Sequence, residues 1–432
     1  SRTFGITATT PQIPNAVKIS EAIKQIEPSK KTILGGPHVT LMNTAAKREK
    51  KRDLKFGDRA TKDVEGLLSV FDVVVCGDGE FAIFDALKIN NGVIDADDKK
   101  SPFFLSNEDF SNLPMPARHL VDMNTYNYSI DGFKSVSLIA QLGCPFRCTF
   151  CSGRNSPFLR VIRQRSSDSI LQEIEHLHKT YGFQGFMFYD DELNVNRGMV
   201  ELMNKIADYQ EKNDVEFRLR GFVKAELFNE EQAVAMKRAG FRWLLTGFES
   251  GDERILKNIK KNATLDDNTR CVETAKNNGL KVKALMSVGH AGESRHSIEN
   301  TKRWLLDVEP EEFDCTVITT YPGSPYFDDA KLIDGTYVYE DKSNGDRLYQ
   351  SSIDYLKELD YYKGDPDGGY ISYVWTDHIS SQDIVKERDK LEKEVRTKLN
   401  IAFNRSHPGI VYEHSMGMGN VQIPSHILRS TN

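Results

Sequence analysis

Three cysteines stand close together in the stretch Gly143-Cys144-Pro145-Phe146-Arg147-Cys148-Thr149-Phe150-Cys151. Thiolates spaced this way on one loop can converge on a single soft metal centre. Three ligands on a four-iron cluster leave one iron open, which a reaction centre needs and a purely structural site avoids. The alternative is a zinc knuckle completed by a distant Cys or His. Such knuckles prefer paired two-residue spacings and the chain has no second pair, so the spacing favours iron–sulfur over zinc. Cys76, Cys271 and Cys315 are scattered in or beside apolar stretches and read as small buried hydrophobes. Six cysteines in 432 residues are too few and too uneven for a disulfide framework.

The loop must be carried by something rigid. From Ser135 onward, strand and helix patterns alternate. Strands are expected at Ser135–Ala140, Gly185–Tyr189, Glu216–Gly221, Trp243–Gly247, Val282–Val288 and Asp314–Thr319. Helices are expected around Ser167–Thr180, Arg197–Lys212, Asn229–Ala239, Leu265–Asn278 and Ser294–Leu306, with Ala239-Gly240 and Asn278-Gly279 as stops. Six βα repeats predict a partial (β/α)6 barrel with its chemistry on the loops after the strands. The cysteine loop follows the first of them.

Residues 1–90 read as a separate parallel α/β unit, doubly wound and Rossmann-like. Its strands end in Gly5-Ile6-Thr7, in Gly35-Gly36-Pro37-His38 and in Gly77-Asp78-Gly79-Glu80, and a helix is expected from Pro14 to Ile26. Small and hydroxyl residues at strand ends allow a bulky ligand to approach the backbone. Residues 47–63 are highly charged and read as a solvated excursion. Residues 91–133, with Pro102, Pro114 and Pro116, read as a linker. The barrel is assigned to 134–325. The tail, 326–432, is expected to be a mostly helical accessory or substrate segment, with one helix at Ser381–Ala402. Ser1 leads almost at once into an apolar stretch, so a preceding segment is expected.

The C-x3-C-x2-C loop, with aromatic Phe150 before the last cysteine, resembles that of the radical S-adenosylmethionine (SAM) enzymes. Further motifs extend the resemblance over residues 135–325. These are Asp190-Asp191-Glu192 after the second strand and Gly247-Phe248-Glu249-Ser250-Gly251 after the fourth. Ser287-Val288-Gly289-His290-Ala291-Gly292-Glu293 follows the fifth, with Ala291 where the family has proline, and Tyr321-Pro322-Gly323-Ser324-Pro325 follows the sixth. The resemblance implies that Cys144, Cys148 and Cys151 hold a [4Fe-4S] cluster. It implies SAM contacts from Phe150, Asp190, Asp191, Glu192, Glu249, Ser250 and Gly289. Arg220, near the end of the third strand, is a candidate for a carboxylate.

Joined to such a barrel, residues 1–90 resemble a cobalamin-binding domain. The resemblance implies cobalamin contacts from Thr7, Thr9, Gly35, Gly36, Pro37, His38, Gly77, Gly79 and Glu80. The family's D-x-H-x-x-G loop, whose histidine ligates cobalt, would precede Ser1, and His38 is no substitute by position.

The implied activity is that of a cobalamin-dependent radical SAM enzyme in the cytoplasm, methylating an unactivated carbon, or phosphorus, of a small-molecule or lipid-precursor substrate. It would take electrons from a donor such as flavodoxin or ferredoxin. The same cofactors could instead serve cyclisation, rearrangement or oxidation. Methylthiolation needs three further N-terminal cysteines, where only Cys76 stands, and usually a C-terminal RNA-binding barrel. A non-catalytic metal-stabilised scaffold is the remaining alternative. Composition agrees with a globular protein: 39% hydrophobic and 28% charged residues, with a net charge of -6. There is no global basic excess, so no nucleic-acid partner is expected. No apolar run approaches the ~18 residues of a membrane span, and nothing resembles a signal peptide.

Overall fold

A computed structural model describes residues 2–52, 56–125, 128–358 and 371–402. The end of the tail, including 403–432, lies outside the described residues. The expected helix at Ser381–Ala402 is found at Ser381–Leu399.

The N-terminal unit is a four-stranded parallel sheet in sequential order: Thr3–Thr7, Lys31–Gly35, Val73–Gly77 and Gly92–Ala96. Alternation along its strands sends Leu34, Val74 and Cys76 to one face, under Ile13, Ala16 and Leu67. It sends Ile33, Val73 and Val75 to the other, under Ala82 and Ala86. Helices therefore cover both faces, as near-continuous apolar strands require. The fourth strand falls in the segment expected to be linker.

The charged stretch 47–63 is not a solvated excursion. Its described residues belong largely to the helices Pro37–Glu49 and Arg59–Val70. Cations of this stretch close onto the segment after the sixth barrel strand. Arg48 pairs with Asp328, Arg52 with Asp329 at 3.0 Å, and Arg59 donates to the Phe327 carbonyl at 2.7 Å while lying over its ring. Charge alone did not reveal that these side chains face a partner surface.

The central sheet carries six parallel strands: Phe133–Leu138, Gly185–Phe188, Arg218–Phe222, Phe241–Glu249, Lys281–Val288 and Glu312–Val317. A short antiparallel strand, Ser129–Ile130, flanks the first. The first and sixth are not bonded to one another, so the barrel is open. Five helices cover its outer face, among them Leu265–Asn277, which starts at the capping box of Thr264 and Asp267. Gly240 and Gly279 take positive φ at the stops. Cys76, Cys271 and Cys315 are buried, as expected of small hydrophobes.

The tail contains, besides the expected helix, an unforeseen four-stranded antiparallel sheet: Lys331–Ile333, Thr336–Glu340, Arg347–Gln350 and Val374–Trp375. Strands this short carry too little alternation to be read. The helix Ser381–Leu399 lies on the sixth barrel strand, where Arg388 donates to the Cys315 carbonyl at 2.8 Å and Arg396 to that of Phe313 at 2.7 Å. Two cations thus bond carbonyls of the outermost barrel strand.

Candidate functional site

The cysteine loop is held from every side. At its start Gly143 has φ +90°, and a Cβ there would fall 2.2 Å from the Val161 carbonyl oxygen, so only glycine fits. Arg160 donates to the carbonyls of Phe146 and Pro145 at 2.8 and 2.7 Å, and Arg154 to that of Arg147 at 2.8 Å. The Thr149 amide donates to the Ile259 carbonyl at 2.9 Å. Gly323 packs behind the loop, where a Cβ would meet the Ser152 carbonyl at 2.3 Å, giving the Tyr321–Pro325 turn a structural purpose.

The acidic strand end braces the same loop. Asp190 is buried, and its carboxyl accepts the amides of Ala140, at 3.2 Å, and Gln141. Burial pushes it up to about 7. Asp191 accepts the Gly143 amide at 3.0 Å. Asp190 thus braces backbone amides through its carboxyl, a role beside the expected contact with a SAM ammonium group. Glu192 stands further in, its carboxyl also raised to about 7 by burial, against the pull of Lys261 and Lys224.

Within the barrel mouth, strands three to five gather charges behind Cys148. Lys224 lies 4.1 Å from the centroid of the Phe146 ring, 2.7 Å from Glu226, and donates to the Lys261 carbonyl at 3.0 Å. Lys261 approaches Glu249 at 3.4 Å. Glu249 has φ +67° at a break in strand register, a strained conformation for a non-glycine residue. Ser287 donates to Glu249 at 2.7 Å and stands 2.8 Å from His290 Nε2. His290 is wholly buried, which lowers it to about 4, and its ring meets Phe150 edge-on at 5.4 Å. The Gly289 amide is bound by Glu293, itself raised to about 7 by burial.

The sequence offers Lys224, with Arg220, as a candidate for a carboxylate and Ser287 only as part of its motif; it gives no sign of Lys261 or Glu226. Lysines at strand ends look like surface cations until the fold buries them. Ser250 bonds Thr301 and the Asp252 amide. Arg220 is buried, with Tyr128 and Asp314 among the groups acting on its charge.

The N-terminal turns meet the barrel. Asp78 is buried, with both carboxyl oxygens accepting from Arg163 Nη1, at 2.6 and 2.7 Å, and it accepts the Leu105 amide. Asp97, at the end of the fourth strand, accepts the Ser156 hydroxyl at 2.8 Å and the Phe158 amide at 2.7 Å. The carboxyl edge of the N-terminal sheet is thereby clasped to the segment just after Cys151. Thr7, Thr9 and Glu80 are exposed on this edge, and space around a Gly79 Cβ is open.

Other assigned residues have contacts within the protein itself. His38 is buried, with Nδ1 against Thr10 and Nε2 against Asp63, each at 3.1 Å. Gly36 and Gly77 are required by packing: a Cβ would lie 2.7 Å from the Ala8 carbonyl oxygen and 2.5 Å from the Ala96 carbonyl carbon, respectively. Pro37 starts the helix Pro37–Glu49. Gly35 has only ordinary contact room. Between the two units, a cleft of about 460 Å³ is walled by Phe110, Leu113, Pro114, Ile139 and Tyr189, with Glu80 and the ion-paired Arg118, Glu173 and Arg165 also lining it.

An open barrel with three thiols on a braced loop and buried charges behind it defines the class. Residues 138–305 match the Radical SAM superfamily. Cys144 and Cys148 lie near enough to Cys151 for their charges to act on it, and three soft thiol donors on one loop suit that family's [4Fe-4S] cluster, with SAM as the partner ligand. The chain is 29% identical, over 74% of its length and 67% of the relative's, to an uncharacterized methyltransferase of Pyrococcus horikoshii. It is 27% identical, over 75% of its length and 57% of the relative's, to the anaerobic magnesium-protoporphyrin IX monomethyl ester cyclase of Rubrivivax gelatinosus. It thus spans roughly three fifths of the length of these relatives. Its fold matches that of TsrM from Kitasatospora setae, a radical SAM methyltransferase solved with cobalamin and a [4Fe-4S] cluster bound. The TM-score is 0.61 at 14% identity, covering 92% of this chain and 78% of the other. The two-part architecture is therefore shared.

Proposed function

We propose that the protein is a cobalamin-dependent radical SAM methyltransferase of the cytoplasm, acting on an unactivated carbon of a largely apolar small molecule or lipid precursor. The observation that carries this is the clasp through Asp78–Arg163 and Asp97–Ser156, which sets the N-terminal strand ends against the cysteine loop. One substrate atom must reach both cofactors, and this apposition supplies the place.

Cys144, Cys148 and Cys151 would hold the cluster. Thr7, Thr9, Gly35 and Gly79 would line the cobalamin, with Glu80 beside it. When bound, these groups supply the electron that cleaves SAM, the adenosyl radical that takes a substrate hydrogen atom, and the methyl group that replaces it. The chain's own residues do the rest. Asp190 and Asp191 fix the loop through its backbone amides. Glu249, oriented by Ser287 and Lys261, presents a carboxylate to a cationic or hydroxylated ligand. Lys224 and Lys261 offer charge to a carboxylate. Phe110, Leu113, Pro114 and Ile139 exclude water from the cleft and set its preference for apolar substrates.

The test is anaerobic incubation of reconstituted protein, hydroxocobalamin and methyl-labelled SAM with extracts fractionated by polarity. Label should appear in an apolar fraction. An oxidised or ring-closed product without label, with 5′-deoxyadenosine formed, would replace methylation by the cyclase-type reading that the second relative suggests.

A further inference from the structure

The chain as a whole is acidic, yet one face is not. Arg147 is exposed on the cysteine loop itself, between Cys144 and Cys148. Arg154 and Arg160 rise from the short helical turns after Cys151, Ser152–Asn155 and Pro157–Arg160, and grip the loop carbonyls described above. Lys99, from the loop after the N-terminal sheet, reaches the same open cavity of about 570 Å³, whose floor includes Pro145, Pro157 and Val161. The Arg154 guanidinium is pushed down first by burial and then by the charges of Arg160 and Arg147, which places the three cations together. Among the described residues none of the four makes an ion pair with a carboxylate; neighbouring Asp329 is paired with Arg52, and Asp98 accepts the Lys100 amide.

We propose that this basic face over the cluster loop, formed by Lys99, Arg147, Arg154 and Arg160, is the docking surface for an acidic one-electron carrier protein of the flavodoxin or ferredoxin type. The inference rests on the proposed cluster, which needs an electron from outside for each SAM cleaved. One electron leaves the reduced carrier, which is oxidised by one equivalent, and reduces the cluster by one. No bond forms or breaks between the proteins. The face is on the loop that would hold the cluster, so a docked carrier meets the shortest path to it. Its composition is that of a protein interface: an apolar floor and an Arg-rich rim. Opposite charge there would steer and orient an acidic partner, although the net charge of -6 repels polyanions elsewhere.

The experiment uses the reconstituted holoprotein with photoreduced flavodoxin as the probe. Two quantities are read: flavodoxin affinity at low and moderate ionic strength, and 5′-deoxyadenosine formation driven by flavodoxin or by dithionite. The double variant Lys99→Glu/Arg147→Glu should lose affinity and flavodoxin-driven rate by about tenfold or more, with the loss shrinking as salt is added. Its dithionite-driven rate should fall by far less than its flavodoxin-driven rate, because dithionite needs no docking site. Arg147→Lys should bind nearly as wild type, and Lys212→Glu, a charge reversal on the outer helix Met199–Asn213, should change nothing. Unchanged flavodoxin affinity in the double variant, an equal loss in Lys212→Glu, or RNA or inorganic phosphate binding to this face with flavodoxin indifferent would overturn the proposal. A wild-type protein that cleaves no SAM under dithionite would sink the proposed function instead, while the docking surface would still be judged by affinity.

Discussion

At the residue scale, the three loop cysteines and the three buried ones make opposite predictions. Replacing Cys144, Cys148 or Cys151 by Ala should abolish iron retention and SAM cleavage, whereas Cys271→Ala and Cys315→Ala should leave both. Stoichiometric zinc with no iron uptake in the wild-type protein would reject the cluster. Asp190 separates a ligand contact from a brace. Asp190→Ala leaves the Ala140 and Gln141 amides buried without their acceptor, at about 1–3 kcal/mol each. Iron per chain after anaerobic reconstitution should therefore fall, and Asp190→Asn, which keeps an acceptor oxygen, should restore most of it. Lower SAM affinity at full iron content in both variants would return Asp190 to the ligand.

His290 gives a pH test with a definite sign. Its unfolded imidazole titrates near 6.5, and burial lowers the folded one to about 4. Between those values the unfolded chain binds a proton that the folded one does not. Stability from this group is therefore lost as pH falls from about 6.5 toward 4. A drop from pH 7 to pH 5 should cost about 2 kcal/mol through it. Glu293 and Asp190, raised to about 7, act in the opposite direction, so the raw profile mixes them. The difference between wild type and His290→Gln isolates the histidine: urea unfolding should show the variant losing about 2 kcal/mol less over that range. Parallel profiles would mean that folded His290 takes up its proton over the same pH range as the unfolded chain.

At the element scale, the sequence reading and the structure agree where periodicity is long. All six barrel strands and the five covering helices fall within a few residues of expectation, because each buries one face against a continuous core. The cysteine spacing was equally legible, since loop thiols carry their chemistry in their spacing. What was not legible depended on long-range partners. The clasp of Arg48, Arg52 and Arg59, the inward turn of His38, and the packing need of Gly36 are invisible until distant segments meet. Asp78 is the sharpest case, a residue inside a glycine turn that serves as an interdomain strut. Asp78→Ala would leave Arg163 buried and unpaired, and removing one partner of such a pair typically costs about 3–5 kcal/mol. A lower thermal midpoint is expected, together with faster proteolysis between Ala96 and Phe133. A variant as stable and protease-resistant as wild type would mean that the strut is dispensable.

At the scale of the whole molecule, the function depends on whether the N-terminal unit takes cobalamin and holds it facing the cluster. Its glycines must be sorted before they are used as evidence. A side chain at Gly36 or Gly77 would strike neighbouring backbone whether or not a ligand is bound, so lost cobalamin in Gly36→Val would say nothing about the ligand. Gly79 is different: its φ is not in the positive range, and nothing lies within 4 Å of a Cβ there. It starts a helix whose next residue, Glu80, lines the cleft. Gly79→Val should therefore fold with its cluster intact and bind hydroxocobalamin much more weakly. The wild-type protein should bind it stoichiometrically, as read by its visible spectrum after gel filtration. Because the two units are clasped by buried bonds, not hinged, cobalamin binding should also proceed without large domain movement. Scattering profiles with and without cobalamin should then nearly superimpose. A wild-type protein that forms 5′-deoxyadenosine from SAM yet never retains cobalamin would leave the barrel chemistry standing and remove the methyl donor. The clasped N-terminal sheet would then act as a wall of the substrate cleft, and Gly79→Val would alter substrate affinity rather than a cofactor.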